Sequence, residues 1–211
     1  MGLETLFDEE PLDLTNIICH SGAAPGADTA WENIGERFGV KTRAYSYKTD
    51  YHKSPNKVEI SEEEYNEGVD EANKANRHLG RWGIHKFMNL IARDWIQVKY
   101  SDQIFAVGYI VEPGKKSRKG YYSKSKYQTV DGGTGYAVMM GINHDKDVFV
   151  FDQRELKWFR WSYATMSFLM FPDTPKIATQ NFAGIGTREL TDDGVKAIVK
   201  VYEKTFSEKD I

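Results

Sequence analysis

The sequence contains a single cysteine among its 211 residues, so no disulfide can form within the chain. Cys19 lies in the apolar run 17–19, which favours a buried strand residue over a reactive thiol. No stretch reaches the ~20 apolar residues that cross a bilayer, and the acidic segment 1–10 lacks the apolar centre of a signal peptide. We therefore expect a cytoplasmic protein without a membrane partner.

An excess of positive charge is also missing. The chain has 28 Lys and Arg residues against 31 Asp and Glu residues, a formal net charge of −3. This balance argues against nucleic acid as a partner and leaves only a local basic patch open. The five histidines have no Cys or His neighbours at metal-ligand spacing, and no Walker A or Gly-x-Ser-x-Gly motif is present. We predict no metal and no cofactor.

Apolar runs alternate with glycine-rich breaks along the chain. Buried strands are predicted at 16–20, 40–47, 103–111, 147–151 and 181–185. Helices are predicted at 28–38, 61–78, 84–100, from the glycines at 132 and 133 to about 143, and at 191–206. Segment 48–60 is predicted as a loop, and the aromatic segment 157–171 as a hairpin or an edge strand. Strands alternating with helices indicate a single α/β domain with a Rossmann-like three-layer fold and a mostly parallel sheet.

Three glycine-bearing turns follow predicted strands: the first turn (21–28), the second turn (131–135) and the third turn (184–189). Small residues let a ligand approach the backbone, and the helix after each turn offers unpaired N–H groups to a phosphate. Each turn taken alone is also typical of an ordinary tight turn with a helix cap. The candidate ligand-binding residues in these turns are Ser21, Gly22, Ala23, Gly26, Asp28, Gly132, Gly133, Thr134, Gly135, Gly184, Gly186, Thr187 and Arg188.

Several side chains in and near these turns suit a phosphorylated ligand. Thr134 can donate to a phosphate oxygen, and Arg188 can form a bidentate pair with phosphate or remain a surface arginine. Asp28 can cap the helix that it opens or bind a ribose hydroxyl. Arg93, on the predicted helix 84–100, is interpreted either as part of a surface salt bridge or as a ligand-facing arginine.

The predicted insertion 112–127 is rich in basic and aromatic residues and has no acidic residue from 115 to 126. It can be a solvated loop, a mobile lid over an anionic ligand, or a surface that stacks and neutralises single-stranded nucleic acid. Its basic and aromatic residues are Lys115, Lys116, Arg118, Lys119, Tyr121, Tyr122, Lys124 and Lys126.

Four segments resemble motifs of the SLOG superfamily, which includes the LOG phosphoribohydrolases, DprA and the YpsA-like proteins. The segments 183–188, 21–32, 92–98 and 132–137 are similar to "AGIGSR", "SGGAxGADxxxE", "xARNxxQV" and "GGTGxA" of the YpsA-related branch found in bacteria and phages. The resemblance implies a Rossmann-like nucleotide-binding domain over 1–211. Because the segment that normally opens the domain closes this one, we expect a circular permutation.

The resemblance also frames the expected activity. LOG enzymes carry a catalytic glutamate after the glycine pair, whereas segment 134–139 has no carboxylate. We therefore expect a protein that senses or sequesters a nucleotide-derived ligand, such as an ADP-ribose-like signal or a nucleoside phosphate. A nucleotide N-glycosidic hydrolase with Glu32 and Arg93 as catalytic residues is one alternative, and DprA-like binding of single-stranded DNA is another. The family often forms dimers, so we expect a homo-oligomer, in the host cytoplasm if the protein is phage-encoded.

Overall fold

The computed structural model describes residues 12–207. Most of the acidic lead-in at 1–14 therefore lies outside the described residues. The described part contains an eight-stranded sheet with the order β3-β2-β1-β10-β4-β7-β8-β9 and a two-stranded sheet of β5 and β6. The strands are β1 (Ile18–Ser21), β2 (Lys41–Ser46), β3 (Lys57–Glu59), β4 (Gln103–Gly108), β5 (Ile110–Val111), β6 (Thr129–Val130), β7 (Asp147–Asp152), β8 (Lys157–Ser162), β9 (Ser167–Phe171) and β10 (Asn181–Gly186).

Six neighbouring strands of the large sheet, from β3 to β7, run parallel, and β8 and β9 continue it as an antiparallel hairpin. Helices cover both faces, and the apolar side chains of each face form their own core cluster. This confirms the predicted α/β three-layer fold with a mostly parallel sheet. The helices are α1 (Ala27–Arg37), α2 (Glu62–Leu79), α3 (Met88–Lys99), α4 (Thr134–Asn143) and α5 (Asp192–Phe206).

The two helix layers are easily told apart by their contacts. Helices α2, α3 and α4 pack together on one face of the sheet, and α1 and α5 pack together on the other. Buried Cys19 belongs to the second core, and burial raises the pKa of its thiol, which confirms a structural cysteine. No helix within residues 12–207 is long and apolar enough to cross a bilayer.

Local sequence signals set the helix ends as predicted. The Ser61 hydroxyl accepts a hydrogen bond from the Glu64 N–H at 3.1 Å, and the Glu64 carboxylate accepts one from the Ser61 N–H at 2.9 Å. This capping box begins α2. Thr191 caps α5 by accepting from the Gly194 N–H at 3.1 Å.

Three predicted boundaries are wrong. The predicted loop 48–60 contains the edge strand β3, which pairs with β2 despite its exposed side chains. The predicted helix 84–100 begins as a short 3₁₀ turn at Ile84–Phe87, because glycine precedes it and no side chain caps it. The predicted strand 103–111 divides into β4 and β5. The strand expected before the second turn is the short β6.

The aromatic segment 157–171 is a hairpin at the edge of the sheet, as predicted. Trp158, Trp161 and Phe168 are buried in the two cores, and Phe159 and Phe171 pack against them. These rings are therefore used within the domain, and the homo-oligomer expected from the family resemblance stays a prediction.

The position of β10 decides how the sheet is assembled. This strand comes from the C-terminal part of the chain, yet it lies between β1 and β4 in the centre of the sheet. Leu14 and Phe206 pack against the same core cluster, so the two ends of the described chain lie on one side of the domain. A central strand of this origin is compatible with the predicted circular permutation.

Candidate functional site

The first and third turns lie next to each other because they follow neighbouring parallel strands. β1 ends at Ser21 and β10 ends at Gly186, and the two strands pair in parallel. In open α/β sheets, ligands bind beyond the carboxyl ends of the strands. The turns predicted from sequence therefore meet at the edge where such a fold places its binding site.

Hydrogen bonds lock the first turn to the third. The Ala27 N–H donates to the Thr187 carbonyl at 3.0 Å, and the Gly186 N–H donates to Asp28 Oδ1 at 2.9 Å. Gly26 has a φ of 105°, and a Cβ there would lie 2.6 Å from the Arg188 Cα. Only glycine satisfies both the backbone angle and this close approach.

Some predicted ligand residues are used by the turns themselves. The buried Ser21 hydroxyl donates to the Asp28 carbonyl at 3.2 Å and accepts from the Ala23 N–H at 3.4 Å. A Cβ on Gly184 would lie 2.6 Å from Trp31 Cγ, so this glycine makes room for a core ring. Ala23 has a φ of 47°, in the left-handed region that favours glycine.

Arg93 reaches the first turn from α3, on the other side of the sheet. The residue is 5% exposed, which excludes the surface salt bridge considered from sequence. Its Nη1 lies 3.0 Å from Asp94 Oδ1 and 3.8 Å from Asp28 Oδ2, yet it has no hydrogen-bond partner among the described residues. A Cβ on Gly22 would overlap the Arg93 guanidinium, so glycine at this position is what admits the arginine.

The two carboxylates beside Arg93 have perturbed ionisation. Burial raises the pKa of Asp28 to about 6, against the opposing effects of Arg93 and of the Gly186 N–H. Burial likewise raises the pKa of Asp94 to about 7, with Arg93 opposing it and Asp28 adding to it. A buried arginine thus shares a small volume with two acids that titrate near neutral pH.

Glu32, the predicted catalytic carboxylate, holds the loop 47–56 that follows β2. Its Oε1 accepts hydrogen bonds from the Ser54 hydroxyl and from Asn56 Nδ2, the latter at 2.8 Å. The same loop places His52 beside Gly22. Both ring nitrogens of His52 are shielded from solvent and lack a hydrogen-bond partner among the described residues.

The second turn follows β6 and is open where the first turn is filled. A Cβ added to Gly132 or Gly133 would meet no atom within 4 Å, whereas one on Gly135 would overlap the Val130 carbonyl. Thr134 is buried at the start of α4. Arg81 donates from Nη1 to the Gly132 carbonyl and from Nη2 to the Val130 carbonyl, each at 2.6 Å.

The predicted insertion forms an arm (residues 112–127) that connects the second and third turns. An isolated antiparallel bridge joins Lys116 and Tyr122 within it. The Arg118 N–H donates to Asp131 Oδ2 at 3.0 Å, and the Arg118 guanidinium pairs with Glu189. The arm therefore spans the site and ties its second turn to its third.

Arg188 stands apart from these contacts. Its backbone packs on Gly26, but its side chain is exposed and forms no ion pair or hydrogen bond with another described residue. Two surface depressions, of about 400 and 780 Å³, are lined by residues outside the three turns. Within residues 12–207, no three His, Cys, Asp or Glu side chains are grouped to hold a metal ion.

Sequence reasoning found the three turns, Arg93 and the basic insertion with Arg118, but missed three of their partners. Asp94 adjoins Arg93 in the sequence and could have been found by that adjacency. His52 and Arg81 reach the turns only through tertiary contacts, so no local signal marks them. No protein-family model, no curated protein and no solved structure matches this chain.

Proposed function

We propose that this protein binds a nucleotide or nucleotide-derived ligand, such as an ADP-ribose-like signal or a nucleoside phosphate, and acts as a sensor or a sequestering protein. The observation that carries the proposal is the buried Arg93 guanidinium beside Gly22, whose Nη1 is ion-paired with Asp94 but lacks a hydrogen bond of full geometry. Buried polar groups are nearly always satisfied, and an exception calls for an explanation such as a bound water, ion or ligand group. An arginine beside a glycine turn at a helix N-terminus suits a phosphate.

The joined turns support the same proposal. The first and third turns bring two helix N-termini, those of α1 and α5, to one edge of the sheet. Exposed Arg188 adds a cation without a protein partner in the described part. The open backbone at Gly132 and Gly133 leaves space for a ligand group above the start of α4.

We also propose that the chain is a circularly permuted member of the SLOG superfamily. Three of the four resembling segments, 21–32, 92–98 and 183–188, contact one another around Gly22, Arg93 and Gly186. The arm connects the fourth segment, 132–137, to them through Asp131. The central position of β10 supports the permutation.

The contacts of the candidate catalytic residues favour binding over hydrolysis. Glu32 is occupied by Ser54 and Asn56, and Asp28 by the Gly186 N–H. A general acid or base needs a carboxylate free to reach the substrate. The first turns of α4, where LOG enzymes carry their glutamate, hold no carboxylate here.

Titration calorimetry with AMP, ATP, NAD, ADP-ribose and a single-stranded oligonucleotide tests the proposal. We expect at least one phosphorylated small ligand to bind, and Arg93→Met to weaken it by about ten-fold or more, the range of a lost charged hydrogen bond. Arg77→Met, which removes an exposed arginine on α2, is the matched control. Circular dichroism checks that Arg93→Met folds, and Arg188→Met provides a second test at an exposed position.

Three results would contradict the proposal. The wild-type protein could bind none of the small ligands, which removes the site. It could release free base from a nucleotide, read by chromatography and abolished by Glu32→Gln, which favours the hydrolase. It could bind only the oligonucleotide, with an affinity that falls steeply with salt, which favours the DNA-binding alternative.

A further inference from the structure

His52 is the most unusual polar side chain outside the predicted turns. It lies on the loop 47–56, and neither ring nitrogen has a hydrogen-bond partner or access to solvent in the described structure. The ring lies against the Gly22 backbone, which raises the pKa of the ring although the contact does not reach full hydrogen-bond geometry. An imidazole with two unsatisfied nitrogens in a shielded position calls for a partner that is not among residues 12–207.

Arg93 Nη1 lies at the same glycine and is ion-paired with Asp94 Oδ1 at 3.0 Å, but it too lacks a hydrogen bond of full geometry. The guanidinium comes from α3 and the imidazole from the loop after β2, so two separate elements bring incompletely hydrogen-bonded groups to Gly22.

The chemistry of the unsatisfied groups defines the missing partner. Arginine can only donate, and a histidine offers one donor when neutral and two when charged. The nearby carboxylates already accept other hydrogen bonds. Asp28 accepts from Gly186, Asp94 accepts from Gln97 Nε2 at 3.1 Å, and Glu32 accepts from the loop. A ligand with acceptor oxygens would complete the hydrogen bonding of both groups.

We propose that His52 is a ligand-binding residue that, together with Arg93, donates a hydrogen bond to a phosphoryl oxygen of the ligand beside Gly22. This inference rests on the proposed function and extends it, since it assigns the loop 47–56 to the binding site. It also gives Glu32 a positioning role, because Glu32 anchors Ser54 and Asn56 on either side of Pro55 and so holds the loop that carries His52.

A protonation effect follows from the surroundings of His52. Burial and the nearby Arg93 lower the pKa of its ring, with Lys57 acting in the same direction and the Gly22 backbone and Glu32 acting against it. The ring is therefore neutral at pH 7 in the free protein. A phosphoryl anion beside it favours the imidazolium, so binding is accompanied by proton uptake and tightens as the pH falls.

The test uses the full chain with ADP-ribose as the probe, because a pyrophosphate without a monoester group keeps its charge constant between pH 6 and 8. Titration calorimetry is performed on the wild type, His52→Asn and His52→Ala at pH 6, 7 and 8. Two buffers with different ionisation enthalpies count the protons taken up on binding. His85→Asn, at an exposed histidine in the 3₁₀ turn, is the matched control.

We expect His52→Ala to weaken binding about ten-fold at pH 6, the effect of losing a charged hydrogen bond. His52→Asn keeps a donor but cannot be protonated, so it should reduce the proton uptake and flatten the pH dependence. His85→Asn should behave as the wild type does.

The outcomes separate this inference from the proposed function. If the wild type binds ADP-ribose and both His52 variants match its affinity and proton uptake, His52 is not a ligand residue, and the proposed function stands. If the wild type binds neither ADP-ribose nor any other phosphorylated small ligand, the proposed function fails and His52 has no ligand to bind.

Discussion

The first and second glycine turns resemble each other in sequence but differ in construction. The first turn is filled: Gly22 faces the Arg93 guanidinium, and Gly26 faces the backbone of the third turn. The second turn is open at Gly132 and Gly133, where an added Cβ would meet nothing within 4 Å. Glycine thus admits protein atoms in the first case and leaves space for other atoms in the second.

This difference separates two uses of one motif. In the first turn, glycines let α3 and the third turn approach, which gathers Arg93, Asp28 and Asp94 into one buried cluster. In the second turn, only Gly135 serves packing, and Arg81 holds the turn by its carbonyls. We therefore expect substitutions in the first region to affect stability, and substitutions at Gly132 and Gly133 to change it little.

The largest effect is expected from Gly186→Ala at the interlocked turns. The new Cβ would lie 2.6 Å from the Ala27 Cβ and would overlap the Val107 carbonyl, where the backbone cannot move aside. We expect a loss of about 3 kcal/mol in the free energy of unfolding, measured with urea. Gly133→Ala, in helical backbone and open space, should change it by less than about 0.5 kcal/mol. Equal losses in the two variants would remove the distinction between the turns.

An effect of intermediate size is expected from Asp94→Asn, which should change how the free energy of unfolding depends on pH. Asp94 has an ordinary pKa of 3.8 and a pKa of about 7 in the folded protein. Between pH 8 and 6.5 the carboxyl therefore takes up a proton only in the folded state, so acidification stabilises the fold through this group. As the pH falls from 8 to 6.5, the free energy of unfolding of the wild type should therefore rise by about 1 kcal/mol relative to that of Asp94→Asn.

The wild type and Asp94→Asn contain the same histidines. The opposing histidine contribution therefore drops out of the difference between their free energies of unfolding. Burial lowers the pKa of both His20 and His52, so these rings take up protons mainly in the unfolded state as the pH falls. Asp131→Asn in the second turn is the control, and its stability should run parallel to that of the wild type from pH 8 to 6.5. A parallel curve for Asp94→Asn would show that this carboxyl is ionised in the folded protein.

The smallest effect is expected from a reciprocal pair of substitutions. Ala23 has a φ of 47° and Gly132 a φ of 66°, both in the left-handed region. Ala23→Gly removes a backbone strain of roughly 1–2 kcal/mol, but the freer unfolded chain costs roughly 0.5–1 kcal/mol of stability. We therefore expect the free energy of unfolding to rise by about 0.5 kcal/mol. Gly132→Ala should lose a similar amount. Thermal unfolding followed by circular dichroism measures both, and a loss in Ala23→Gly would contradict the strain at this position.

The sequence was most informative where local chemistry decides the structure. The capping box at Ser61, the cap at Thr191 and the buried strand around Ile104 were all predicted because their signals lie within a few residues. Strand β3 was missed because its side chains are exposed, and only its pairing with β2 makes it a strand.

The candidate site shows the same division between features that local sequence reveals and features that depend on tertiary contacts. The glycine turns were visible as strings of small residues, but the sequence could not tell that Gly22 is filled and Gly133 is open. That difference depends on Arg93, which lies more than sixty residues from Gly22 in the chain. His52 carried no signal at all, because its importance comes from lacking partners in three dimensions.

The central position of β10 has a consequence for how this chain is made. During synthesis, β1 with β2 and β4 with β7 leave the ribosome before the strand that joins them. Two half-sheets must then wait with unpaired inner edges, which are prone to bind each other or a neighbouring chain. The nascent chain is therefore most vulnerable to aggregation just before residues 181–186 emerge, and chaperones that shield strand edges should matter most at that moment.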